Sequence, residues 1–261
     1  MKLKKGFTLA EALVTLVIIG VVAAITIPPL VTKYKKTTWI KALRVNYQIL
    51  NQGFTKMVAD NGVDFIWDTD VFSNIKQGRC QSSHNIQGTN CKNFLPKLYD
   101  YFKIDSIGTL DGYKFKYMNG TENIHTGNAI KLANGAIIIS YSFLNFDENY
   151  NTERCKAVTE AGGKMCAIAG DFTIDINGLK EPNTYGRDIF EFLLTEKGRV
   201  VPYAGNDFAI YYAYPDFSIQ NINIRKGSSS SIYYSCVSNP NAQGAGCSGY
   251  LIDVLNWEMN Y

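Results

Sequence analysis

Six cysteines, at positions 80, 91, 155, 166, 236 and 247, fall into three successive pairs, each 11 residues apart. Six thiols allow 15 pairings, of which short-range closure within Cys80–Cys91, Cys155–Cys166 and Cys236–Cys247 is the simplest. Loops of this length contribute about 3 kcal/mol each by chain-entropy reasoning, less any strain. Disulfides imply an oxidising compartment. Zinc is the competing chemistry, but its sites prefer two to four residues between paired cysteines and here there are ten.

A second constellation runs from Asp175 through Asn177, Gly178, Glu181, Pro182, Asn183 and Thr184 to Asp188. It sets oxygen-bearing side chains around a Gly/Pro turn between two strand-like runs. A hard cation such as Ca²⁺ takes 6–8 oxygens from carboxylates, amides and carbonyls, which makes Asp175, Asn177 and Asp188 the candidate ligands. The stretch is no EF-hand, because Thr173 and Thr184 stand at the first and twelfth ligand positions. The competing reading is an Asx-type turn, in which Asp175, Asn177 and Asn183 bond to backbone amides.

Support for catalysis is thin. His84 and His125 are the two histidines, both in turn-like surroundings expected at the surface, and neither has a metal-ligand spacing or a nucleophile motif beside it. Gly244-Ala245-Gly246-Cys247-Ser248-Gly249 spells G-x-G-x-x-G, but the 12 residues that follow leave no room for a βαβ unit. Asn119-Gly120-Thr121 spells a glycosylation sequon, which decides nothing by itself.

The element that must position all of this begins at the N-terminus. From Phe7 to Ile27 there are 21 residues and one charge, Glu11, so a helix there rises about 31 Å, close to the ~30 Å hydrocarbon thickness of a bilayer. Lys2, Lys4 and Lys5 precede it and favour a cytoplasmic N-terminus, with the chain beyond Pro28 exported. A carboxylate in such a span is costly and is usually retained for a partner. An ordinary signal peptide has no use for Glu11 and needs a small-residue cleavage site after its apolar core, which Val22-Ala23-Ala24-Ile25 does not supply.

A basic leader ending in Gly6, then Phe7, a glutamate at the fifth residue counted from Phe7 and about twenty apolar residues resembles the class III signal of type IV pilins and type II secretion pseudopilins. The resemblance covers Met1 to about Met57. It implies cleavage of the Gly6–Phe7 bond by a membrane aspartyl peptidase, the prepilin peptidase, and methylation of the new amine on Phe7. It implies that Gly20 and Pro28 sit where the family weakens its helix, for which both residue types have backbone reasons. It further implies inner-membrane residence with an exported head, followed by assembly with other pilin or pseudopilin subunits into a helical filament. In that filament Glu11 pairs with the amine of a neighbouring subunit, since a lipid-surrounded carboxylate is best satisfied by an opposite charge. The turn between Asp175 and Asp188 is also similar to one in many pilin-like heads, and some pseudopilins bind calcium in a loop between strands, although the acidic loop of the major pseudopilins is not reproduced here.

Beyond Pro29, Ile40, Leu43, Tyr47, Leu50, Phe54 and Met57 recur at helical spacing, so the helix is expected to continue through a bend at Pro28-Pro29 to about Ala59, where Asp60-Asn61-Gly62 stops it. Residues 63–112 read as a long connecting region holding one short helix over 92–101. Strands are expected at 113–117, 136–143, 172–176, 189–193 and 199–201, the last two as a hairpin, and further ones near 208–214 and 231–234. The class is α+β: a long N-terminal helix on a β-sheet head, antiparallel by the resemblance, with disulfide-closed loops. The expected organisation is a leader at 1–6, a membrane helix at 7–28, an amphipathic helix at 29–60 and a head at 61–261.

Losing Lys2, Lys4 and Lys5 takes the 26 basic residues to 23, against 23 acidic ones. The mature chain is neutral, so its balance does not point to nucleic acid or anionic lipid and leaves room only for a local patch. The expectation is a structural subunit and no enzyme. The alternative from another class is a binding or adhesive domain on an uncleaved signal anchor.

Overall fold

The structure is a computed structural model that describes residues 8–75, 78–83, 89–145, 168–203, 211–213, 219–221, 236 and 242–259. Helix α1 runs from Leu9 to Asn61, 53 residues, with Pro28 and Pro29 inside it. It passes Gly20 and both prolines without a break in helical structure. Thr26 and Thr32 hydroxyls donate back to the carbonyls of Val22 and Pro28 at 2.8 and 3.0 Å. The stop is a Schellman turn: Gly62 has φ +63°, its N–H donates to Ala59 O, and the Val63 N–H donates to Val58 O.

The chain divides into two compact units, Met1–Thr38 and Trp39–Tyr261, so the boundary falls inside α1 and ten residues beyond Pro28. In the first unit the described large apolar side chains are exposed, Leu9 at 81 % and Ile25 at 69 % among them. This half of α1 is long and apolar enough to cross a membrane, with a mean hydropathy of 2.5 over its richest 18 residues. In the second unit α1 is amphipathic in fact as well as in spacing. Ile40, Leu43, Leu50, Phe54 and Met57 are buried. They are the spine of the core of the second unit, Trp39–Tyr261.

That spine packs on an antiparallel sheet. Its strands are β1 (Gly78–Gln81), β2 (Ile104–Thr109), β5 (Asn128–Leu132), β6 (Ile137–Asn145), β7 (Ile168–Asp175), β8 (Ile189–Thr195) and β9 (Val200–Pro202). The order is β2-β5-β6-β7-β8-β9, with β1 paired to the far end of β6. Strands β3 (Tyr113–Lys116) and β4 (Glu122–His125) form a separate hairpin, as do β10 (Tyr211–Ala213) and β11 (Ile219–Asn221). The ring of Phe54 lies 6.0 Å from that of Phe143 on β6 and 6.2 Å from that of Phe172 on β7, centroid to centroid. Tyr47 meets Phe192 on β8 at 5.6 Å. Deleting a fully buried Phe of this kind costs about 3–5 kcal/mol.

The expected strands at 113–117, 136–143, 172–176, 189–193 and 199–201 all have counterparts, and β8 and β9 pair as the expected hairpin. Residues 231–234 lie outside the described residues. The single helix expected over 92–101 is instead two short pieces, α2 (Thr89–Lys92) and a 3₁₀ turn at Leu95–Asp100. Pro96 lacks the N–H that a continuous α-helix would use, and the chain tightens into the 3₁₀ turn there. The connecting region also contributes β2, whose mostly half-buried side chains give no clean alternation.

Candidate functional site

Gly6 and Phe7 lie outside the described residues. The first described residue, Thr8, is the cap of α1. Its backbone N–H donates to Glu11 Oε2 at 2.9 Å and its hydroxyl to the same oxygen at 2.8 Å, while the Glu11 N–H donates to Thr8 Oγ1 at 3.3 Å. This is a reciprocal capping box, Thr-x-x-Glu, which satisfies donors that a helix start otherwise leaves without partners. Glu11 thus has an occupation within its own chain. Sequence reasoning treated it only as an intersubunit charge and passed over Thr8, although a Thr three residues before a Glu at the head of an apolar run is the signature of such a cap. Further along the helix Gly20 faces open space, where a Cβ would meet nothing within 4 Å.

Two of the three expected disulfides are present, Cys80–Cys91 and Cys236–Cys247. Cys155 and Cys166 lie outside the described residues. The first pair fastens β1, and with it an edge of the sheet, to α2. The second ties Cys236 to α3 (Cys247–Gly249), whose Ser248 hydroxyl donates to Glu191 O on β8 at 2.5 Å. The C-terminal segment is thereby held against the sheet.

The structure does bring Asp175, Asn177 and Asp188 together, and both carboxylates are fully buried. Their four oxygens, however, already face donors. Asp175 Oδ1 accepts from the Asn177 N–H at 3.0 Å, and Oδ2 accepts from the Tyr113 hydroxyl on β3. Asp188 Oδ1 accepts from the Thr184 N–H at 2.6 Å, and Oδ2 from the Asn183 N–H at 2.9 Å and Asn177 Nδ2 at 3.1 Å. A cation in this position would meet the positive ends of those N–H and O–H dipoles. The acceptors left over are Oδ1 of Asn177 and of Asn183, buried without a partner among the described residues. These two side-chain oxygens are fewer than the six to eight oxygens that Ca²⁺ takes from side chains and carbonyls together. As arranged, Asp175 and Asp188 act as hydrogen-bond acceptors and Asn177 donates to Asp188. Among the described residues no group of three His, Cys, Asp or Glu could hold a metal ion.

What the cluster does instead is pin the turn. Asp175 Oδ1 accepting from the Asn177 N–H is an Asx turn, and the Asp188 carboxylate gathers the amides of Asn183 and Thr184 from the other side, holding Asn183 at its positive φ of 46°. Burial pushes the Asp175 carboxyl up to about 8, against the Tyr113 and amide hydrogen bonds that favour its charged form. Burial likewise raises Asp188 to about 6. Tyr113 is raised too, by its own burial first and by the Asp175 charge second. Sequence reasoning read Tyr113 only as the start of a strand. Its partnership with Asp175 depends on how the β3–β4 hairpin folds back on the sheet, which spacing does not reveal.

Among the described residues His125 belongs to no metal-holding cluster. His84 lies outside the described residues, and His125 ends β4 half-buried, more enclosed than the surface position expected. Burial lowers its basicity.

No curated protein and no solved structure matches the chain significantly. Residues 1–27 match the family described as the prokaryotic N-terminal methylation motif. That segment spans the basic leader, Gly6, Phe7, the Thr8–Glu11 cap and the apolar start of α1. Over these residues the chain carries the prepilin-type signal of type IV pilins and pseudopilins.

Proposed function

We propose that this protein is a structural subunit of a type IV pilus or type II secretion filament, made as a precursor and processed at the Gly6–Phe7 bond by a prepilin peptidase. The observation that carries the reading is the methylation motif at residues 1–27. The fold agrees with it. An exposed apolar half-helix leads into a half-helix that is the core of an antiparallel head, so one element can anchor the chain in a membrane while the other displays the head beyond it. After cleavage Phe7 bears a methylated amine four residues from Glu11. Release of Oε2 from the Thr8 box lets the Glu11 carboxylate pair with the amine of a neighbouring subunit, which satisfies both charges in the filament interior. The protein acts as a building block and catalyses nothing. Its partners are the peptidase and like subunits, and it resides in the inner membrane with the head exported until it assembles.

The test is assembly that depends on processing. Filaments sheared from cells of the source should contain the chain, and Gly6→Val, which removes the glycine before the cut, should leave the precursor in the membrane fraction and absent from the sheared material. Incorporation of unprocessed Gly6→Val chains would refute the reading.

A further inference from the structure

Helix α1 has no acidic residue between Glu11 and Asp60, yet it holds six basic ones: Lys33, Lys35, Lys36, Lys41, Arg44 and Lys56. Two of these are engaged at the far end. Lys56 pairs with Asp60 at 2.5 Å, and Arg44 lies over the Trp257 ring at 5.1 Å. Lys33, Lys35 and Lys36 make no ion pair among the described residues, and with no acid within a turn of them on the helix they have no local means of making one. Three lysines in four residues, directly after an apolar span, are costly in this place. By the positive-inside bias they oppose the leader's Lys2, Lys4 and Lys5 three against three, since both sets lie within the flanks that decide orientation.

We infer that Lys33, Lys35 and Lys36, with Tyr34, form a collar that binds the headgroup phosphates of anionic phospholipids at the face of the membrane from which the head emerges. The inference rests on the membrane-anchored reading above. Position along the helix is the first support. With Leu9 at the opposite boundary, a rise of 1.5 Å per residue puts Lys33 about 36 Å and Lys36 about 40 Å along the axis. The hydrocarbon core is about 30 Å thick and each headgroup layer adds about 5–7 Å, so Lys33 falls in the headgroup layer while Lys35 and Lys36 stand just outside it, with side chains long enough to reach back to the phosphates. Tyr34 is 72 % exposed, an aromatic side chain with a polar tip at the level where such residues anchor a span.

Angular distribution is the second support, and it separates a lipid surface from a protein partner. Successive residues on an α-helix turn by about 100°, so Lys33, Tyr34, Lys35 and Lys36 point to four sides and encircle the helix. A docked protein touches one side of a helix, whereas a headgroup layer surrounds it. The hydroxyls of Thr37 and Thr38 donate back to the carbonyls of Lys33 and Tyr34 at 2.9 and 3.0 Å, so the polar groups around the collar are satisfied within the helix and its ammonium groups remain for outside anions. The collar would hold a waiting subunit at a fixed depth, and leaving the bilayer for a filament would require those contacts to break.

The experiment uses the full chain reconstituted in phosphatidylcholine bilayers doped with a spin-labelled lipid. The motionally restricted fraction is compared for labelled phosphatidylglycerol and labelled phosphatidylcholine. The wild type should hold the anionic lipid several-fold more strongly, with a ceiling of about fivefold per lysine at low salt, and the preference should shrink as salt is raised. Lys33→Gln with Lys35→Gln and Lys36→Gln should bring the ratio to about one. That variant inserts at least as well as the wild type, because it removes charge from the exported side. A wild-type ratio of one overturns the collar, and so does a preference that survives in the triple variant. Alkaline extraction of the same samples distinguishes the two levels: a chain stripped from the bilayer overturns the membrane reading itself, while a retained chain with no anionic preference overturns the collar alone.

Discussion

The hydroxyl of Tyr113 on the β3–β4 hairpin donates to the carboxyl of Asp175 at the end of β7, across 62 residues of sequence and in the buried interior of the head. This contact joins the small hairpin to the main sheet and keeps the Asp175–Asp188 turn a hydrogen-bonding device.

Because the folded Asp175 carboxyl sits at about 8 and an unfolded one at 3.8, the native state binds the proton more tightly. Its contribution to stability is fully present below pH 3.8 and is lost as pH rises toward 8; Asp188, raised to about 6, adds the same sign over a narrower window. Thermal melts of the chain from Trp39 to Tyr261 should show a lower Tm at pH 8 than at pH 5.5. Asp175→Asn, which keeps an acceptor for Tyr113 and removes the charge, should flatten that dependence and raise Tm at pH 8. A variant as pH-sensitive as the wild type would assign the effect to other groups.

Calcium should not stabilise the head. At a hundredfold excess over a dissociation constant, a true site adds about 2.7 kcal/mol, enough to move a melting curve by several degrees. Melts in chelator and in millimolar calcium should superimpose, and an upward shift that Asp188→Ala removes would restore the cation reading of the turn.

The capping box makes Thr8 and Glu11 separable. Thr8→Val keeps the shape and loses the hydroxyl, which removes a cap worth about 1 kcal/mol at a helix start while leaving the Glu11 charge in place. It should insert and assemble with a modest loss. Glu11→Ala should insert and assemble poorly, since it loses the cap and the intersubunit charge together. Equal incorporation of Glu11→Ala and wild type into sheared filaments would take Glu11 out of the assembly mechanism.

Much of this architecture was legible in the chain. The 3.6-residue recurrence from Ile40 to Met57 and the Asp60-Asn61-Gly62 stop define the buried half of α1, and the β-rich runs at 136–143 and 189–193 define the central strands. Strands β2 and β5 were not legible. They are short, β2 is interrupted by Ser106 and Gly108, and each derives its stability from pairing, β2 with β5 and β5 also with β6. The Asp175 turn was visible as a cluster of oxygens, but its chemistry was not. Whether carboxylates hold a cation or amides depends on which donors the fold brings to them, and the decisive one, Tyr113, arrives from a distant hairpin. The even cysteine spacing anticipated Cys80–Cys91 and Cys236–Cys247 because short loops close at low entropic cost.

By the same reasoning the third pair, Cys155 and Cys166, is predicted to close locally. Non-reducing peptide mapping of the exported protein should recover a Cys155–Cys166 peptide alongside the other two, and a free thiol at either position, or a long-range pair, would contradict it.

The mass of the mature N-terminal peptide tests the central claim most directly. Protein extracted from membranes of cells that hold a prepilin peptidase should begin at Phe7, with the six residues Met1–Gly6 removed and one methyl group added to the amine. An intact Met1 start in such cells, or a start beyond Ala23, would contradict the account.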